Sequence, residues 1–192
     1  MANSRGNLQV YYANAFAGPD FKAGSSHPLW RRLTWTSKSI LAAVAKWEEH
    51  QGITIASITE KNRTAIYYGT LFGEMEAGLT VAAGILKPDH VISPTAFQQS
   101  VHNAPVGYLS QILKTDAPSA TIASGLGSFD RALAMASEDI LADAIDVAIV
   151  IDAAEYHLST NENGVKAESE ICVITAGDVI NKKSDWRLES VS

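Results

Sequence analysis

The stretch SATIASGLGSFDRALAMA, Ser119 to Ala136, reads as a short apolar strand, a glycine-rich turn and a helix. Enzymes mount nucleophiles on such turns, because the following helix offers its N-terminal N–H groups to developing negative charge. The apex, between Gly125 and Gly127, is Leu126, a side chain with no reactive atom. The helix after it is equally informative. Its segment RALAMA, Arg131 to Ala136, is small and apolar nearly all round, which predicts a helix covered on most sides, as between two sheets.

Working outward, LQVYYANAF (Leu8 to Phe16), TAIYYGT (Thr64 to Thr70), DVAIVIDAAE (Asp146 to Glu155) and EICVITA (Glu170 to Ala176) are strand-like runs. SKSILAAVAKWEEHQG is a helix with Ile40, Val44 and Trp47 on one face and Gly52 as its stop, and GEMEAGLTVAAGIL is another. AGPDFKAGSSHP is an open loop, KPDHVISP breaks the second helix, and Thr95 to Leu113 reads as helical pieces around Pro105 and Gly107. The helix after the turn runs from about Ser128 to Ala142. STNENG is a polar loop, and the tail from about 177 is polar apart from Trp186, which either docks or stays loose. Strands alternating with helices imply an α/β fold with a mixed, mostly parallel five-stranded sheet packed with helices. No boundary, repeat or low-complexity tract divides residues 1–192, so one domain is expected.

Hydrophobic residues make up 46% and charged residues 19% of the chain, a globular balance far from disorder. A formal charge of −6 and the lack of a basic run speak against nucleic acid, whose affinity comes mostly from neutralising phosphates. VAIVI, Val147 to Ile151, is far too short to span a bilayer, and MANSRGNLQV lacks the apolar core of a signal peptide. The single cysteine, Cys172, leaves no internal disulfide and suits a reducing compartment. A cytoplasmic protein is the expectation.

Candidate reactive groups are few. Ser124 and Ser128 flank the turn without occupying its apex, and both suit a strand end or helix N-cap. His102, in SVHNAP, is the most tempting catalytic histidine, and Ser128, His102 and Asp152 can be drawn as a hydrolase or acyltransferase set. Scattered positions alone do not make one. Cys172 inside EICVITA reads as a buried structural thiol. The five histidines show no metal-ligand spacing, and GTLFGEMEAG matches neither dinucleotide nor P-loop glycine patterns. No cofactor or metal is expected. Trp30, Trp35 and Trp47 read as core or interface anchors.

The segment SPTAFQQSVHNAPVGYLSQILKTDAPSATIASGLGSFDRALAMASEDILADAIDVAIVIDAAE resembles the N-terminal half of a β-ketoacyl synthase. Ser93-Pro94, Asn103, Gly107, Pro118-Ser119, Asp146-Val147 and Glu155 stand in the family's order, ungapped from Ser93 to Val147. TAIYYGTLFGEMEAG resembles the family's second strand and glycine turn. The resemblance implies a thiolase-like half-sandwich. It also implies that Leu126 occupies the position of the family's acyl-carrying cysteine, so no thioester can form there. The family's two catalytic histidines and oxyanion-hole N–H come from a C-terminal half that these 192 residues do not include.

Some ketosynthases pair with an inactive relative, the chain-length factor, which closes the end of the partner's acyl tunnel. The sequence is similar to the short ketosynthase-like proteins of bacterial polyketide and aryl-polyene-type pathways. The resemblance therefore implies a non-catalytic subunit of fatty-acid or polyketide-type synthesis. Its partner would be an active ketosynthase or a second copy, and acyl carrier protein would be met only through that complex. Leu71, Phe72, Thr95, Ala96 and Phe97 match tunnel-end positions. His102, Asn103, Gly107, Tyr108 and the strand Ser119, Ala120, Thr121, Ile122, Ala123 match the dimer contact, where an exposed strand edge invites addition. A self-associating protein that binds a hydrophobic ligand in the old tunnel is the remaining alternative.

Overall fold

VAIVI is buried at all five positions because it feeds two cores at once. Val147, Ile149 and Ile151 point to one face of a sheet, and Ala148 and Val150 to the other. A strand buried on both faces must be central. The computed structural model describes residues 8–17, 28–89, 91–155 and 167–176. Its elements are β1 (Leu8–Ala17), a 3-10 turn (Trp30–Arg32), α1 (Trp35–Gln51), α2 (Ile55–Thr59), β2 (Thr64–Thr70) and α3 (Met75–Ile85). These are followed by α4 (Pro94–Gln99), α5 (Ala104–Leu113), β3 (Ser119–Ile122), α6 (Ser128–Leu141), β4 (Val147–Glu155) and β5 (Ala167–Ala176).

The strand order is β1-β5-β4-β2-β3. β4 pairs with β2, and β2 with β3, in parallel; β5 runs antiparallel to both β4 and β1. Four strands thus share one direction and β5 alone opposes them, the mixed, mostly parallel α/β sheet expected.

Helix α1 covers one face. Thr34 caps it by accepting the Ser37 N–H at 3.1 Å, and Gly52 ends it at φ +65°, a conformation that favours glycine. Trp47, fully buried, anchors the helix and donates its indole N–H to the Tyr11 carbonyl at 3.2 Å. Val106 and Leu109 of α5 complete that core. Helix α6 covers the opposite face through Ala132, Ala136 and Ile140, packed with Ala65, Tyr67, Ala148 and Val150.

Two expectations need correction. α6 is not covered on most sides: it buries the single stripe Ser128, Ala132, Ala136, Ile140, while Ala134, Met135 and Leu141 are exposed. Small apolar composition states what a helix can bury, not what is present to bury it. β5 begins at Ala167 rather than Glu170, because Glu168 and Glu170 alternate with the buried Ala167 and Ser169, and charges on one side of a pleat do not end a strand. AGPDFKAGSSHP apart from Ala17 and Pro28, the STNENG loop and the tail with Trp186 lie outside the described residues.

Candidate functional site

β3 delivers the chain into the glycine turn, and one hydroxyl closes it. Ser128 Oγ accepts the Ser124 N–H at 2.9 Å and donates to the Gly125 carbonyl at 2.6 Å. Gly125 sits at φ +77°, so the bend needs glycine. The side chain thrown outward is Leu126, 93% exposed and two residues before α6. Here the structure refines the sequence reading: Leu126 precedes the helix on an exposed turn, and the helix beside it is buried along one stripe only. Ser128 is not the N-cap either. Gly127 is, and it offers no side-chain bond. The hydroxyl of Ser128 is spent inside the turn and the residue is 2% exposed. The turn is intact, and its apex holds no nucleophile.

The drawn catalytic set is not assembled by hydrogen bonds. His102 is exposed, and its ring lies against Gly73, where an added Cβ would come within 2.9 Å of it. Asp152 stands opposite Glu170 in the β4–β5 ladder and lines an open cavity of about 200 Å³ with Asn14, Glu168 and Glu170. Burial, then Glu170 and Glu168, push its carboxyl up to about 6. Burial likewise pushes the Cys172 thiol up to about 12, which makes it an inert structural thiol. Among the described residues no three His, Cys, Asp or Glu side chains converge as metal ligands, and no helix is long and apolar enough to cross a membrane.

What the structure does assemble is an apolar surface. Phe72 and Phe97 are 56% and 60% exposed. Leu71 beside them is half-buried and Thr95 exposed. α3 buries only Ala77 and Gly84, leaving Leu79, Ile85 and Leu86 in water next to Val91 and Val101. Leu86 is 84% exposed. Contiguous exposed apolar side chains of this kind mark interaction sites. The sequence reading found Phe72 and Phe97 but missed Leu79, Ile85 and Leu86; the signal was available, since GLTVAAGIL carries no charge on any face.

β3 is an edge strand, bonded to β2 alone among the described strands. Ser119 and Ala123 are exposed, and Ala120, Thr121 and Ile122 half-buried. His102, Asn103 and Gly107 are exposed, whereas Ala96 and Tyr108 are 8% and 7% exposed. Those two face inward. On α4 and α5 the helical repeat turns them into the chain's own packing.

Two buried carboxyls stand at the start of α3. Glu155, at the end of β4, accepts the Glu76 N–H at 2.8 Å, a charge well placed at a helix N-terminus. Glu74, 2% exposed, has neither oxygen in a hydrogen bond. Burial raises it to about 8; the Thr34 hydroxyl offsets part of this, and the nearby Glu155 adds to it. Sequence reasoning missed Glu74 entirely.

Residues 28–189 match the family model described as β-ketoacyl synthase, N-terminal domain. No curated protein matches the sequence. Among solved structures, the chain is similar to one in the complex of the ketosynthase ApeO with its chain length factor ApeC from Xenorhabdus doucetiae. That match has a TM-score of 0.64 at 18% identity and covers 88% of this chain and 79% of that one. The ishigamide ketosynthase/chain length factor matches with a TM-score of 0.65 at 15% identity, covering 82% of this chain and 49% of its own. AntDE:AntF, a type II polyketide synthase acyl-carrier protein in complex with its ketosynthase bound to the hexaketide, gives a TM-score of 0.63 at 16% identity, covering 84% and 53%. The chain thus spans about half the length of the last two, and at these identities the likeness is one of fold.

Proposed function

The chain belongs to the β-ketoacyl synthase family, in its N-terminal domain, and from that premise we propose that it acts as a non-catalytic, chain-length-factor-type subunit. It binds an active ketosynthase and shapes that partner's acyl tunnel in fatty-acid or polyketide-type chain assembly, of the aryl-polyene kind. It meets acyl carrier protein only as part of the pair. One observation carries this reading: the nucleophile turn keeps its glycine bend and its Ser128 staple, yet presents Leu126, 93% exposed, at the apex. A leucine forms no thioester. The apolar surface of Phe72, Phe97 and α3, and the separate open edge of β3, support a subunit that works through a partner.

The test is co-expression with the ketosynthases of its gene cluster, followed by light scattering and by mass spectrometry after incubation with an acyl donor. A single complex with the acyl group on the partner's cysteine supports the reading. Acyl transfer to Ser124 or Ser128 of this chain, or failure to bind every such ketosynthase, sinks it.

A further inference from the structure

We propose that Glu74 is a positioning residue for Phe72: its carboxyl, buried as the neutral acid, ties down the turn that presents the Phe72 ring, and ionisation frees that turn. The turn runs from Thr70 to Glu74, between β2 and α3. Its two largest departures from the strand point opposite ways, Phe72 into water at 56% exposed and Glu74 inward at 2%. Little else holds it. The Gly73 N–H donates to the Thr70 hydroxyl at 3.0 Å, and that hydroxyl donates to the Ala153 carbonyl at 3.2 Å. Leu71 is half-buried, and Gly73 bends the chain at φ +64°, a conformation that favours glycine.

The surroundings of Glu74 accept the acid and disfavour the anion. α1 supplies the Thr34 and Thr36 hydroxyls, β2 the Tyr68 phenol, β4 the Glu155 carboxyl and α3 the Glu76 carboxyl. His102, whose ring lies against Gly73, is a further titratable side chain at the turn. Among the described residues no lysine or arginine acts on Glu74, and no hydrogen bond reaches either of its oxygens. A buried, unpaired anion costs far more than a buried neutral carboxyl, and Glu155 and Glu76 add like-charge repulsion. Swinging the turn about Gly73 hydrates the carboxylate and breaks the Gly73 hydrogen bond while β2 and α3 stay in place. A local opening of this kind costs less than unfolding the chain. The closed turn holds a proton that the open turn releases. Opening is therefore favoured as pH rises from 4.5 to about 8, and no further above that.

Amide hydrogen exchange of the full chain from about pH 6 to about pH 8, corrected for the intrinsic pH dependence of exchange, tests this. The Gly73 amide should be less protected than that of Ile149 in the core. Its protection should fall by up to about tenfold per pH unit. Glu74→Gln should flatten that profile. Glu74→Met, uncharged and of similar length, should do the same and keeps the test decisive if the first variant folds poorly. His102→Gln should retain the slope. A Gly73 amide indifferent to pH, equal protection of Gly73 and Ile149 throughout, a slope that survives both Glu74 variants, or one that vanishes in His102→Gln overturns the proposal.

The consequence for a partner rests on the reading of this chain as a chain-length-factor-type subunit. With its ketosynthase, the parent should give longer or broader products at about pH 9 than at about pH 7, and Glu74→Gln should not, because only the parent frees Phe72. The two failures are distinct. A pH slope at Gly73 with unchanged products keeps the anchor and removes Phe72 from the tunnel, whereas a flat Gly73 profile removes the anchor whatever the products do.

Discussion

Gly69, near the end of β2, and Phe129, in the first turn of α6, stand so close that a Cβ on Gly69 would lie 2.8 Å from the Phe129 backbone N and Cα. Backbone cannot swing aside as the tip of a flexible side chain does, so the helix itself would have to move. This contact sets α6 over the strand end and thereby places the Ser124–Gly127 turn. Gly69→Ala should cost about 1–3 kcal/mol, the range for overpacking. Gly107→Ala, in α5, adds a Cβ with nothing within 4 Å and should be neutral or up to about 1 kcal/mol stabilising. Urea unfolding separates the two, and equal midpoints would contradict the steric argument.

Ser128 staples the turn rather than reacting from it. Ser128→Ala leaves the Ser124 N–H without its acceptor, whereas the Gly125 carbonyl keeps the Ser128 backbone N–H at 3.1 Å. One lost partner in a part-buried site costs about 1–3 kcal/mol. The Ser124 amide should then exchange faster with solvent deuterium, and Ser128→Thr, which keeps the hydroxyl, should recover part of the protection. Unchanged exchange at Ser124 in Ser128→Ala would show that the staple is idle.

Much of this was readable from residue order alone. β2 ran from Thr64 to Thr70 as read, because an apolar run between turn residues admits few alternatives, and Gly52 ended α1 because its left-handed backbone favours glycine. Leu126 at the apex followed from the register of Gly125 and Gly127. The rest depended on contacts between distant segments. Nothing local says that Tyr108 turns inward while Gly107 turns out. RALAMA cannot reveal whether a second layer is present to cover it. Glu74 is an ordinary acid in sequence, and only the meeting of α1, α3 and the end of β4 makes it a buried one.

That burial has a pH signature. Glu74 rises from 4.5 to about 8 in the folded chain, so between these values the folded state holds a proton that the unfolded state has lost. Stability then falls as pH rises, by up to about 1.4 kcal/mol per unit for one such group, and levels off above the folded value. Asp152, raised from 3.8 to about 6, adds a fall in the lower part of the window only. From pH 6 to 8 the decline belongs to Glu74. Glu74→Gln keeps the shape and removes the charge, so it should stabilise the protein at pH 8 and flatten the decline from pH 6 to 8. Denaturant unfolding at both pH values measures this. A variant whose stability drops as steeply as the parent's would refute it.

The last prediction concerns the tunnel and rests on the proposed pairing. Phe72 follows the end of β2 and Phe97 lies in α4; both are large, exposed, and close to the apolar α3 surface. If they close the end of a ketosynthase partner's tunnel, their size sets the room left for the growing chain. Phe72→Ala or Phe97→Ala removes a ring whose burial at an interface would contribute about 2–3 kcal/mol, so the complex should weaken somewhat yet still form at micromolar concentrations. The product should lengthen or broaden in range, because the vacated volume accommodates further methylene-sized increments. Acylation of the partner should survive, since the reacting cysteine is the partner's. Leu86→Ala, on the same surface but outside the matched tunnel positions, should weaken binding without changing product length. Co-expression of each variant with the ketosynthase, followed by product analysis at saturating subunit, distinguishes the effects. Unchanged products from both phenylalanine variants would remove these residues from the tunnel while leaving the partnership itself standing.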